Sequence, residues 1–303
     1  MKKIYDLVII GAGPAGITAA VYAARKKMDS LVVTKDIGGQ ASLSGDIQNY
    51  TGYQFITGPE LAIKFEEHMR KFNFDIKENE EVKELISEKG AFLVKTDKDN
   101  YQAKTVIVAS GKRSRELGVT GEREFRNKGL TYCATCDGPL FAERDVAVIG
   151  GGNSALDAVL QLTKIANKIY VINITDNLTG DGIMQEKIRA DNKVSIFNNS
   201  RVKEILGDSF VQAIKIEEDK EEKVLDVQGI FVEIGLIPNS DFAPSLEKNE
   251  RKEIIVNQRN ETNIPGIFAA GDVTNVPEKQ IIIAAGEGAK AVLSTFRYLS
   301  TRK

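Results

Sequence analysis

The sequence predicts an α/β fold containing two nucleotide-binding units, and three observations carry that prediction. A β-branched apolar run, a glycine cluster and a helix-periodic stretch occur together in Tyr5–Ala24 (YDLVIIGAGPAGITAAVYAA). The same succession returns in Asp145–Leu160 (DVAVIGGGNSALDAVL), about one domain length later. Three further strand-like runs, Thr105–Gly111, Gly229–Pro238 and Gly266–Asp272, end in small residues that let another backbone or a ligand come close.

Each fingerprint has a specific physical content. Gly11, Gly13 and Gly16 fill G-x-G-x-x-G around Pro14 and Ala15, and Gly150, Gly152 and Ala155 fill G-x-G-x-x-A around Asn153 and Ser154. One glycine makes the turn, the next lets the backbone approach a diphosphate, and the last small residue lets helix pack on strand. The helix N-terminus then offers N–H groups and the positive end of its dipole. Two such Rossmann-like openings imply two dinucleotides on one chain. The Thr105–Gly111 run adds Ala109 and Gly111 to the candidate lining, and the Gly266–Asp272 run adds Gly271 and Asp272. The Asp272 carboxylate could meet a sugar hydroxyl; a helix N-cap is the competing role for the same residue. Glu78–Tyr101 and Ser200–Val227 alternate apolar and charged residues and are expected as peripheral antiparallel sheet.

The chain has 303 residues, about two domains, with 42% hydrophobic and 28% charged residues, as in a globular protein with a real core. Lys+Arg 41 against Asp+Glu 43 leaves a formal charge of −2, which gives no electrostatic reason to bind nucleic acid or anionic lipid. Its apolar stretches are too short to span a bilayer. Asp6 and the glycines that follow spoil the signal-like start Met1-Lys2-Lys3, so a cytoplasmic location is expected. The one histidine, His68, lies among Leu61, Phe65, Met69 and Phe72 at helical spacing and reads as a surface helix residue. With two cysteines, a disulfide-stapled domain and a single-chain Cys/His zinc site are both excluded.

Those cysteines, Cys133 and Cys136, stand in YCATCDGP just before the second fingerprint. C-x-x-C in an α/β chain reads as a redox dithiol, because that spacing permits a readily exchanged disulfide. Asp137 beside the pair is a candidate proton donor and acceptor, with turn formation before Gly138-Pro139 as the alternative. Two dinucleotide sites and a dithiol make one connected chemistry: nicotinamide to flavin, flavin to disulfide, disulfide to an external acceptor.

Over nearly its whole length the chain resembles the low-molecular-weight thioredoxin reductases and the related flavoprotein subunit of alkyl hydroperoxide reductase. The matching segments are GAGPAG (11–16), Gly38-Gly39-Gln40, Asn49-Tyr50, YCATCDGP (132–139), GGGNSA (150–155), GIFAAGDV (266–273) and KQIIIAAGEGA (279–289). The resemblance implies a discontinuous FAD domain (1–113 and 242–303) with a nicotinamide domain (114–241) inserted, and hinges near Gly111–Leu117 and Ile237–Phe242. It implies FAD held by Gly11, Gly13, Gly16, Gly39, Gln40, Asn49 and Asp272, with Gln280 and Ile281 near the ring system. It further implies a homodimer, Cys136 facing the flavin, Cys133 attacking a thioredoxin- or glutaredoxin-like partner, and Asp137 moving protons. The hydroperoxide reductase subunit's N-terminal thioredoxin-like extension is missing here, so the acceptor is expected to be a separate protein.

One departure bears on the electron donor. Relatives that use NADPH carry basic residues after the second strand of the nicotinamide domain, whereas this chain reads YVINITDN (170–177) with no Lys or Arg before Lys187. A 2′-phosphate carries about two negative charges and needs cations to replace its water. Asn173 can instead bond a ribose hydroxyl, and Asp176 and Asp181 repel phosphate. NADH is therefore expected over NADPH. The alternatives are the same core reduced by a donor such as ferredoxin, or a flavin redox sensor without turnover.

Overall fold

The computed structural model describes residues 3–43, 46, 47, 49–88 and 90–301, without the side chains of residues 43, 46 and 136. The chain divides into two compact units, Met1–Arg113 with Ile237–Lys303, and Ser114–Leu236. The second boundary therefore falls five residues before the expected 241/242. The reason is local bonding: Asn239 donates from its N–H to the Gly111 carbonyl (2.9 Å) and from its amide to Ser110 O (2.9 Å), and the Ser240 hydroxyl donates to Lys252 O (2.8 Å). These bonds make residues 239 and 240 part of the first unit.

The first unit is organised by the buried strand Ile4–Ala12, which pairs in parallel with Ser30–Ile37 on one side and Asn100–Val108 on the other. Asp75–Lys77 adds to the outer edge of Ser30–Ile37. The free edge of Asn100–Val108 is shared: its first half pairs antiparallel with Ala91–Thr96, and its second half pairs parallel with Ile267–Ala269. The expected Glu78–Tyr101 insertion thus extends the main sheet through Val82–Glu88 and Ala91–Thr96. Alternation decides the faces. Leu7, Ile9, Ile107 and Phe268 pack under the alanine-rich side of helix Pro14–Arg25 and under helix Ile281–Ser300, while Val8, Ile10, Val106 and Val108 pack with Phe92, Leu246 and Ile254. Helix Gly58–Arg70 starts with a capping box between Thr57 and Glu60 and turns Leu61 and Met69 inward; His68 is exposed on its last turn.

The second unit has an all-parallel sheet in the order Leu130–Thr131, Gly229–Val232, Asp145–Ile149, Lys168–Ile172, Val194–Phe197. Such strands are buried on both faces, which is why they read as continuous Val/Ile/Ala runs. Helix Asn153–Leu162 covers one face through Ala155, Leu156, Val159 and Leu162. The expected Ser200–Val227 sheet is present as the antiparallel strands Ser200–Gly207, Val211–Glu218 and Glu221–Asp226. In both units the glycine clusters lie at the carboxyl ends of the parallel strands, where open α/β sheets bind ligands.

Candidate active site

In the first unit the glycines have defined work. Gly11 has φ +100°, and a Cβ there would land on the Ala109 carbonyl; a Cβ on Gly16 would land on the carbonyl of Gly11. Those two glycines close strand against strand and helix against strand. Gly13 differs: a Cβ there would meet nothing nearer than Gly39 Cα at 4.0 Å, so its backbone faces open space. Gly13 also precedes helix Pro14–Arg25 without a side-chain cap, and the first intrahelical bond is Ile17 N–H to Gly13 O (2.9 Å). The N–H groups of Ala15 and Gly16 come before that bond and suit an anion. Gly271 and Gly288 bring the chain's C-terminal part onto the same turn, since Cβ atoms there would press on Ala15.

Around this turn the structure gathers the other residues proposed from sequence. Gln40 Nε2 donates to Lys112 O (3.5 Å), and Asn49 Nδ2 donates to Gln280 Oε1 (3.1 Å) at the exposed N-cap of helix Ile281–Ser300. Gly111 has φ +62° with nothing close to its missing Cβ. Asp272 is half-buried and lies in the single turn Gly271–Val273, so the helix N-cap alternative does not describe it. Burial holds its carboxyl above the usual range, with Lys279 and Lys112 pulling the other way. Behind it Lys279 donates to Thr274 O (2.6 Å) and pairs with the buried Glu253 (3.1 Å), which also pairs with Lys112 (3.0 Å). An uncapped helix start, a bare Gly13 backbone and a carboxylate that takes no hydrogen bond among the described residues fit a dinucleotide with a polyol chain, as FAD has. Asp36 is a further candidate for this set that was not singled out from sequence. Thr34, which accepts from Ala12 N–H (3.1 Å), donates to the Asp36 carbonyl, and the exposed Asp36 side chain lies one residue before the end of the second strand. It stands about 20 residues after Gly16, the spacing at which an acidic residue meets a ribose hydroxyl.

In the second unit Gly150 (φ +135°) is needed because a Cβ would land on Glu233 O, and the buried Ala155 lies against the same point. Gly152, like Gly13, is open: a Cβ would meet only Thr179 Oγ1 at 3.9 Å, and the helix that follows has no side-chain cap. The remaining sequence candidates are already engaged. Asn153 Oδ1 accepts from Asp181 N–H (2.7 Å), and the Ser154 hydroxyl donates to the Glu233 carboxylate. Asn173 is the main revision. It is 3% exposed, donates to Thr175 O and Asn198 Oδ1 (2.9 Å each), and accepts from the Thr175 hydroxyl (3.0 Å). Its amide holds the loop down against Gly151, where a Cβ would strike it, and is not presented to a ribose. Asp181 caps helix Gly182–Ala190, and Asp176 is exposed.

The C-x-x-C segment starts at the end of the same sheet. Cys133 is half-buried and disulfide-bonded. The side chain of Cys136 lies outside the described residues. Thr131, last residue of its strand, accepts from Cys133 N–H (3.1 Å) and donates to the Asp137 carboxylate. Asp137 is thus held toward the cysteine turn by a strand-end hydroxyl, a contact with no sequence motif behind it. Tyr132 is fixed by Glu122, which accepts from its hydroxyl (2.7 Å) and from the N–H groups of Leu117 and Gly118 (2.7 and 2.6 Å).

Residues 5–288 match the model of a known family, pyridine nucleotide-disulphide oxidoreductase. The chain belongs to that family. Among curated relatives it is 40% identical to an NADH dehydrogenase of Bacillus subtilis, over 98% of this chain and 59% of that protein. It is 39% identical to one component of the alkyl hydroperoxide reductase of Staphylococcus aureus, over 98% and 60% respectively. The chain spans about three-fifths of the length of these relatives. Among solved structures it is similar to thioredoxin reductase of Lactococcus lactis (TM-score 0.88, 34% identity, 98% of this chain and 99% of that one). It is also similar to a ferredoxin-flavin thioredoxin reductase of Clostridium acetobutylicum (TM-score 0.56, 31% identity, 99% and 100%). The chain therefore has the thioredoxin reductase-like fold. No helix among the described residues is long and apolar enough to cross a membrane.

Proposed function

We propose that the protein is an FAD-dependent disulfide reductase that moves electrons from NADH, by way of the Cys133/Cys136 pair, to the disulfide of a thioredoxin- or glutaredoxin-like protein. The observation that carries this reading is the Cys133 disulfide with Asp137 bonded to Thr131, in the unit that also holds the Gly150–Ala155 loop. Gly11, Gly13, Gly16, Gly39, Gln40, Asn49, Gly271, Asp272 and Gln280 would hold FAD, which when bound supplies two-electron exchange between a nicotinamide and a disulfide. The chain's own residues do the rest. Gly13 and Gly152 leave backbone bare for the two diphosphates. Cys133 attacks the acceptor disulfide, Cys136 resolves the mixed disulfide, and Asp137 holds the proton that the departing acceptor thiolate takes. A homodimer is part of this reading.

NADH is favoured over NADPH because residues 173–186 contain no Lys or Arg to meet a 2′-phosphate. The NADH dehydrogenase relatives support the same preference. A second reading, reduction by a ferredoxin-type donor, draws on the same cation-poor loop and on the likeness to the clostridial ferredoxin-flavin enzyme. Turnover with a thioredoxin-like disulfide protein tests the proposal. NADH should support it, and Cys133→Ser should abolish acceptor reduction. Unchanged turnover in that variant would refute the dithiol role.

A further inference from the structure

Glu233 connects the nucleotide loop and the cysteine turn of the second unit, and it lies in neither motif. It follows strand Gly229–Val232, which runs between Leu130–Thr131 and Asp145–Ile149. Its N–H donates to Ile149 O (2.8 Å), and its carbonyl fills the space that glycine at position 150 leaves. The backbone is pinned, so the place of the side chain is set by the sheet. The half-buried carboxylate accepts from two donors: the Ser154 hydroxyl, in the first turn of the fingerprint helix, and the Ala134 N–H, next to Cys133. Burial holds the carboxyl above the usual range against these two donors, and the charge of Asp157, one turn along the fingerprint helix, adds to the rise. No Lys or Arg side chain pairs with it among the described residues.

Ser154 lies where a diphosphate or ribose hydroxyl would arrive at the helix start. A nucleotide that takes the Ser154 hydroxyl removes one of the two donors that favour the charged form of Glu233. Losing that donor shifts Glu233 toward its neutral form beside the cysteine turn, while the charge of the arriving diphosphate is met by the N–H groups of the helix start. Reducing the disulfide breaks the S–S bond, takes up two electrons, and leaves sulfurs that are thiolate before they are protonated. Less negative charge nearby favours that product.

We propose that Glu233 is a positioning residue that couples occupancy of the nucleotide cradle to the reduction potential of the Cys133 disulfide, through its shared bonds to Ser154 and Ala134. The inference rests on the nicotinamide reading of the Gly150–Ala155 loop made above. Its test uses the holoprotein in dithiothreitol redox buffers, with dithiothreitol as reductant, and thiols are counted by alkylation and mass spectrometry. The probe is ADP-ribose, a diphosphate nucleotide fragment that cannot take a hydride. At fixed buffer potential, saturating ADP-ribose should raise the dithiol-to-disulfide ratio by about five- to tenfold, the usual size of a coupling between sites. That is about 20–30 mV for a two-electron couple. Glu233→Gln keeps the shape and removes the charge; the change should then fall below about twofold while calorimetry still shows ADP-ribose bound. A full shift in Glu233→Gln, or none in the wild type with ADP-ribose bound, overturns the coupling alone. If neither ADP-ribose nor NADH binds the wild type, the nucleotide reading of the unit falls and the coupling falls with it.

Discussion

Replacing Glu253 by glutamine tests the charge cluster that backs the first cofactor cradle. Glu253 and its two lysines are poorly screened: side-chain exposure is 8% for Glu253, 13% for Lys112 and 23% for Lys279. Burial by itself would raise the Glu253 carboxyl, but Asn249, Lys112 and Lys279 outweigh it and hold it at about 2 instead of the ordinary 4.5. At about 1.4 kcal/mol per pKa unit this depression corresponds to about 3 kcal/mol of folding free energy at neutral pH. Breaking a buried pair by removing one partner costs about 3–5 kcal/mol, so two independent routes agree. The sign follows from the lowered folded value. The stabilisation is complete above the unfolded carboxyl's pKa, shrinks as pH falls below about 4.5, and is nearly gone by about 2. Urea unfolding followed by circular dichroism should therefore find Glu253→Gln less stable than wild type by about 3 kcal/mol at pH 7, with roughly half that gap at pH 3. Equal midpoints at pH 7, or a gap that does not change with pH, would show that the cluster does not do this.

The glycines divide into two kinds and should respond differently. Gly16→Ala should lower the stability of the apoprotein, by about 1–3 kcal/mol or more, because its Cβ strikes a carbonyl. Gly13→Ala should leave apoprotein melting unchanged while FAD retention after gel filtration falls steeply. In the second unit, Gly152→Ala should raise the KM for NADH about tenfold or more with little change in Tm, since a Cβ there finds open space. Ile174, 73% exposed on the cation-free loop, offers a place for a new charge. Ile174→Arg should narrow the NADH-to-NADPH preference by about fivefold or more, read from kcat/KM for each nucleotide. An unaltered preference would mean that this loop does not face the ribose.

How legible these features were depends on how local they are. The glycine positions, the C-x-x-C turn and the buried parallel strands are written in short segments, because turn geometry and burial act over a few residues. Asp36 was also legible, through the same spacing rule that points to Asn173 in the second fingerprint. Glu233, Thr131 and Glu253 were not, because their partners come from strand pairing. Thr131 lies opposite Phe231 in the sheet, which brings the strand leading into Glu233 beside the cysteine turn, and Lys112 meets Glu253 across 141 residues of sequence. Asn173 was misread for the same reason. Its chemistry suits a ribose hydroxyl, yet Asn198, 25 residues on, engages its amide within the fold.

Anaerobic titration of the yellow holoprotein with NADH, with thiols counted at each addition, tests the central claim most directly. The account predicts that NADH bleaches the flavin far faster than NADPH does, and that two alkylatable thiols per chain, Cys133 and Cys136, accumulate with it. Bleaching by dithionite or reduced ferredoxin alone, or bleaching by NADH without new thiols, would contradict it.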